Sequence, residues 1–156
     1  FIFFSTGNLF AQDKIAFIDL NYLYNNSNIG KKITKEITNK KKNINKEFQD
    51  FQKKLNEEKK SLLAQKNILA EDEYKKKYLK LEDNLNKYNE IISKKNKELV
   101  DFQKKSKEEF TTTLKSTLES YSKTNSISMI LRKENLLIGK SNLDITKEIL
   151  ELFNKG

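Results

Sequence analysis

Cysteine, histidine, tryptophan and proline are all absent from the 156 residues, and glycine occurs only four times. Without cysteine there is neither a disulfide framework nor a thiolate site. With histidine missing too, a catalytic centre would have to rely on carboxylates, lysine, tyrosine or hydroxyls alone. The lack of proline and near-lack of glycine leave little to interrupt a helical hydrogen-bond ladder. The abundant Lys, Glu and Leu suit long helices, because straight-chain residues lose little rotamer freedom there. Asparagine is the exception, a mediocre helix former present in quantity. Apolar residues are scarce as well: 36% of the chain against 34% charged, a poor ratio for one compact globule.

The net charge of +9 is unevenly placed. Lys31–Ala70 holds 12 Lys against 5 acidic residues and Glu71–Lys105 holds 10 against 8, so the remainder is neutral. Two regions of different character therefore share one chain. A basic surface attracts anionic partners (nucleic acid, anionic lipid or lipopolysaccharide, acidic polypeptide) without saying which, and a merely solvated Lys-rich helix face gives the same pattern.

The first eleven residues read as the tail of a secretory signal. Phe1–Phe4 and Leu9-Phe10 are apolar, and Ala11 supplies the small residue before the cut. A first β-strand or a frayed apolar end is the other reading. The run is far short of the roughly 20 residues of a membrane span. Lys14–Leu20 (KIAFIDL) predicts a strand covered on both faces. Asn21–Tyr24 follows as a short helix or turn, and the Asn25–Asn28 cluster leads into the next helix.

From Ile29 the period changes. Ile37, Ile44 and Phe51 are seven apart, as are Phe48, Leu55, Leu62 and Leu69, and the two sets make one coiled-coil seam. Tyr74, Tyr78, Leu81, Leu85, Tyr88, Ile92, Leu99 and Phe102 make another, with Lys95 as a polar interruption. The seams do not share a register. A stutter in one long helix or a turn between two antiparallel helices would explain the break at 65–73. Three carboxylates at Glu71-Asp72-Glu73 suit a new helix start, and Lys59, Lys60 and Lys66 suit the end of the preceding one, which favours the hairpin. Phe110, Leu114, Leu118 and Tyr121 continue the stripe until Lys123–Ser126. Ile127–Arg132 and Asn135–Ile138 predict a pair of strands, Gly139–Asn142 a turn, and Asp144 the cap of a last helix carrying Ile145, Ile149, Leu150 and Phe153.

The predicted fold is mostly α with a small β body. Residues 12–28 and 122–156 form the body, and residues 29–121 a long antiparallel helical-hairpin arm with its tip near 65–73. An arm of roughly 40 residues per helix reaches about 60 Å. Three short strands and a short helix are too small to be comfortable alone, so self-association is expected.

This arrangement resembles the Skp/OmpH family of periplasmic chaperones over nearly the whole chain. The similarity rests on Lys14-Ile15-Ala16-Phe17-Ile18-Asp19, on Gly30-Lys31-Lys32, on the tip Leu69-Ala70-Glu71-Asp72, and on Ile130-Leu131 followed by Asp144-Ile145-Thr146. The resemblance implies an exported homotrimer, cleaved near Ala11, in which β-rich bodies join and three arms enclose a cavity for unfolded outer-membrane proteins. It implies neither ATP use nor a cofactor. Ile15, Phe17, Ile18, Met129, Ile130 and Leu131 are then the expected trimerisation residues.

Catalytic signatures are missing. Gly139-Lys140-Ser141 is the one phosphate-like motif, but a P-loop needs a glycine five residues before Gly139, where Glu134 stands. Glu57-Glu58 and Glu108-Glu109 lie on charged helical sequence, where adjacent carboxylates point apart. No catalytic residue, metal ligand or cofactor is assigned, and the chain is not expected to be an enzyme. Phe48, Phe51, Tyr74, Tyr78, Tyr88 and Phe102 lie on the seam and belong to arm packing, yet two helices offer too little surface to cover them all. Contiguous exposed apolar surface binds partners, so these six are the candidate client-binding residues. Lys40, Lys41, Lys42, Lys53, Lys54, Lys75, Lys76 and Lys77 are the candidates for electrostatic capture. The same lysines would serve a basic coiled coil that binds nucleic acid. Arg132 is the sole arginine, which disfavours base reading. A structural envelope coiled coil is the third reading.

Overall fold

The computed structural model describes residues 14–155. In order these are strand β1 (Lys14–Ile18), helix α1 (Leu20–Asn26), helix α2 (Asn28–Ala64), helix α3 (Glu71–Asn125), strand β2 (Ile127–Arg132), two 3₁₀ turns (Lys133–Asn135 and Ser141–Leu143) and helix α4 (Thr146–Lys155). The helices are long, the strands few, and the hairpin replaces a single stuttered helix. The proposed export tag lies outside the described residues.

The chain separates into two compact units. One holds the residues up to Lys31 together with those from Glu109 onward; the other is Lys32–Glu108.

In the first unit β1 and β2 pair in parallel, with Ile15 opposite Met129, Ala16 opposite Ile130 and Phe17 opposite Leu131. Parallel neighbours require a crossover, and here α1, α2 and α3 provide it. On the other side of β1, the Phe17 carbonyl accepts the Ile145 N–H at 3.0 Å. Ala16, Phe17, Ile18, Leu23, Ile149 and Phe153 are buried in this unit. Phe110 sits at its centre, edge-on to Tyr24 (5.1 Å between centroids) and to Phe153 (5.3 Å).

The second predicted strand of the C-terminal pair does not form. Lys133–Asn135 turns instead, closed by the Leu136 N–H on the Lys133 carbonyl at 3.0 Å. The second side of β1 is taken by Asp144-Ile145, and the 3₁₀ turn directly after β2 carries the following residues away from the sheet, so they do not pair along the edge of β2 either. Leu137 and Ile138 are left fully exposed. β1 also ends at Ile18 rather than Leu20, because Asp19 caps α1, its Oδ1 accepting the Tyr22 N–H at 2.9 Å.

Ser27 joins α1 to α2. Its N–H closes α1 on the Leu23 carbonyl, while its Oγ caps α2 by accepting the Gly30 N–H at 3.1 Å. A Cβ on Gly30 would stand 1.7 Å from the Tyr24 carbonyl oxygen, so this close approach admits only glycine. Asp144 carries out its predicted capping role, its Oδ1 accepting the Thr146 N–H at 3.0 Å.

In the second unit, the turn between α2 and α3 needs neither glycine nor proline. It tightens through Lys66 N–H on the Leu63 carbonyl and Ile68 N–H on the Gln65 carbonyl, and Ser126 is the only non-glycine with positive φ among the described residues. Glu71, Asp72 and Glu73 fill the first turn of α3, where the helix dipole favours them. The matching lysines are misplaced at the other end. The last turn of α2 holds no basic residue, since Lys59 and Lys60 fall a turn earlier and Lys66 lies beyond it.

Candidate binding surface

The seam of the Lys32–Glu108 unit is built on aromatic stacking. Phe51 and Tyr88 lie face to face, 3.5 Å between centroids and 6° from parallel, and Phe48 flanks Tyr88 at 6.2 Å. The Tyr88 hydroxyl is buried without a hydrogen-bond partner. Burial, and secondarily the Glu47 carboxylate, pushes its ionisation above the usual tyrosine range. Glu47 itself pairs with Lys95, the polar interruption in the seam. A lysine at a seam position is thus accommodated by reaching across to the carboxylate of the facing helix.

The six seam aromatics divide by depth. Phe51, Tyr74, Tyr88 and Phe102 are half-buried, whereas Phe48 and Tyr78 are 40% and 52% exposed. The off-seam apolar residues Leu63, Leu79, Ile91 and Val100 are exposed as well. Their signal in the sequence is apolar character outside the heptad seam, which the seam aromatics do not share. Leu85, a seam residue, is likewise exposed.

The lysines divide too. Lys40 lies over the Phe102 ring, 4.8 Å from its centroid, and Lys77 Nζ donates to Gln65 Oε1 at 2.7 Å. Both are thereby tied to the hairpin. Lys41, Lys42, Lys53, Lys54, Lys75 and Lys76 are exposed, and their charges are left to act at long range.

In the other unit, the six residues of β1 and β2 expected at a subunit interface separate by depth. Phe17 and Ile18 are buried within the chain at 6% and 2% exposure, and Ile130 and Leu131 are half-buried. Ile15 and Met129, opposite one another across the ladder, are 43% and 52% exposed. Among the described residues the sheet has only these two strands, and none of them covers the far edge of β2. Below it a polar latch ties the ends of the unit together. Lys133 Nζ lies 3.6 Å from Asp19 and 3.8 Å from Asp144, and the Asp19 N–H donates to Thr146 Oγ1 at 2.9 Å. Two capping carboxylates sharing one ammonium form a structural clamp.

Gly139 and Lys140, the latter extended, lead into the three-residue 3₁₀ helix Ser141–Leu143, with Gly139 against the Phe17 ring. Among the described residues there is no His/Cys/Asp/Glu cluster suited to a metal ion, and no helix is long and apolar enough to cross a membrane.

A family model described as "Outer membrane protein (OmpH-like)" matches residues 14–153. No curated protein matches the chain. Among solved structures, the chain is similar to an OmpH-like protein from Caulobacter crescentus CB15, described as a candidate outer membrane chaperone. The TM-score is 0.86 at 18% identity, covering 99% of this chain and 91% of that one.

Proposed function

The chain belongs to the OmpH-like family, and on that premise we propose that it is a periplasmic holdase that keeps unfolded outer-membrane proteins from aggregating. The observation that carries this reading is the exposure of large apolar side chains, Phe48 and Tyr78 foremost, on a helical hairpin with excess lysine. Exposed apolar contact without a defined pocket suits a client with no fixed shape, and the client keeps much of its chain entropy. Unpaired lysines attract acidic clients and speed encounter, while apolar contact slows release. None of this requires ATP, a cofactor or a catalytic residue.

In this reading residues 12–28 and 122–156 form the trimerisation body and residues 29–121 the arm. Ile15 and Met129 lie in the subunit interface, supported from beneath by Phe17, Ile18, Ile130 and Leu131. Phe1–Ala11 is the export tag, and Lys41, Lys42, Lys53, Lys54, Lys75 and Lys76 also make contact with anionic lipid or lipopolysaccharide. The test is light scattering of a β-barrel membrane protein diluted from denaturant. An equimolar amount of trimer should suppress the scattering rise. Scattering unchanged across a tenfold excess refutes the reading.

A further inference from the structure

The two edges of the α2–α3 hairpin differ in chemistry. An α-helix advances about 100° per residue, so positions one and four after each seam residue of the heptad sets Phe48, Leu55, Leu62 and Tyr78, Leu85, Ile92, Leu99 fall on one edge. Positions one before and two after fall on the other, and antiparallel pairing brings like edges together. Two open grooves mark the second edge, one lined by Glu57, Ser61, Lys80 and Asn84 and the other by Asn43, Glu47 and Glu98. With Asp50, Lys54, Lys87, Lys94 and Asp101 at equivalent positions, this edge is ionic.

The first edge is almost uncharged. It presents the amides Gln49, Gln52 and Asn56 on α2 and Asn86, Asn89 and Asn96 on α3, all exposed. Lys59 and Glu82 are its charged members from Phe48 to Leu63 and from Tyr78 to Gln103. The exposed large apolar residues gather there as well. Phe48, Leu63, Tyr78, Leu79, Leu85 and Val100 lie on or beside this edge, and of the exposed apolar residues in these helical stretches only Ile91 falls elsewhere.

We infer that the amide edge is the surface on which an extended, unfolded polypeptide lies; the inference rests on the holdase reading and specifies its contact face. Asn and Gln each offer both donors and acceptors, the complement of the peptide N–H and C=O groups of a chain without secondary structure. The interspersed apolar residues receive the client's apolar side chains. Lack of charge leaves the edge indifferent to the sign of the passing segment. A phosphate-rich partner finds Lys59 alone there, too little to neutralise a backbone. The ionic edge already engages part of its own charge, since Glu47 pairs with the seam residue Lys95.

Because the chain contains no cysteine, single thiols report each edge separately. Gln52→Cys and Asn89→Cys mark the amide edge; Asp50→Cys and Lys94→Cys mark the ionic edge. Reaction rates with a polar maleimide are measured for the full chain, alone and with an unfolded β-barrel membrane protein diluted from denaturant, with light scattering followed in the same samples. The expected result is a several-fold slowing at positions 52 and 89 on adding the client and little change at 50 and 94. Suppressed scattering with protection confined to 50 and 94, equal at all four, or absent overturns the edge assignment and leaves the holdase reading standing. Slowing at 52 and 89 that grows with chaperone concentration and needs no client means a second copy covers the edge, which also overturns it. Failure to suppress scattering removes both.

Discussion

Replacing Tyr88 by Phe should stabilise the hairpin. The hydroxyl is buried in the seam with no partner, while the ring stacks on Phe51 at 3.5 Å. Phe keeps that stack and removes only the orphaned oxygen. An unsatisfied buried hydroxyl costs about 1–3 kcal/mol. The residue is half-buried on a two-helix pair with water close by, so about 1 kcal/mol is the appropriate end of that range. Thermal unfolding followed by circular dichroism should show a midpoint higher by roughly 2–4 °C for each kcal/mol. The pH dependence gives an independent check. The folded state holds the Tyr88 proton more tightly than the unfolded chain does. Its contribution to stability is therefore complete below the ordinary tyrosine pKa, about 10, and is lost as pH rises through the higher folded value. Tyr88→Phe should accordingly lose less stability than wild type above pH ~10. A variant less stable than wild type at neutral pH would refute the reasoning, and would mean that the hydroxyl is engaged by a group outside this chain.

Five further variants separate packing from function. Gly30→Ala would gain about 1 kcal/mol of helix propensity at an ordinary helical site. Here the added carbon meets the Tyr24 carbonyl at 1.7 Å and must displace the Ser27 cap, so a net loss of about 2 kcal/mol or more is expected in chemical denaturation. Stabilisation would show that the α1–α2 junction is loose. Ile15→Asp with Met129→Asp should leave the helical circular dichroism signal intact and lower the mass found by sedimentation, because both side chains are exposed within the chain; an unchanged mass would place the interface elsewhere. Phe17→Asp instead puts an unpaired charge into the core, at a cost of several kcal/mol, and should unfold its unit. Reversing the exposed Lys41 and Lys42 to Glu should slow stopped-flow association with an acidic unfolded client, and the wild-type rate should fall with added salt. A rate indifferent to both changes would mean these lysines are only a solvated face. Phe48→Ser should raise the dissociation rate without melting the helix, since Phe48, like Tyr78, is an exposed member of the aromatic seam.

The sequence by itself determined the elements whose signal is local and repeated. A heptad of apolar residues over many turns has one economical solution, a paired helix. The change of register at 65–73, followed by three carboxylates, located the turn that the structure places between Ala64 and Glu71. Asp144 was legible as a cap because capping depends on residues within one turn. Tertiary structure alone decided depth and partnership. Phe48 and Phe51 belong to the same heptad pattern, yet Phe51 lies flat on Tyr88 while Phe48 stands half out of the seam, because the facing helix can cover only one shoulder of its partner. Gly30 looked like any glycine near a helix start until the Tyr24 carbonyl was found against it. Asn135–Ile138 had the composition of a strand, but Ile145 took the second side of β1 and a 3₁₀ turn at Lys133–Asn135 carried the chain off the sheet. Helix periodicity is written into neighbours along the chain. Which side of a stripe is covered, and which strand finds an edge, depends on groups far apart along the chain, as Phe51 is from Tyr88 and Phe17 from Ile145, and those meet only in the folded chain.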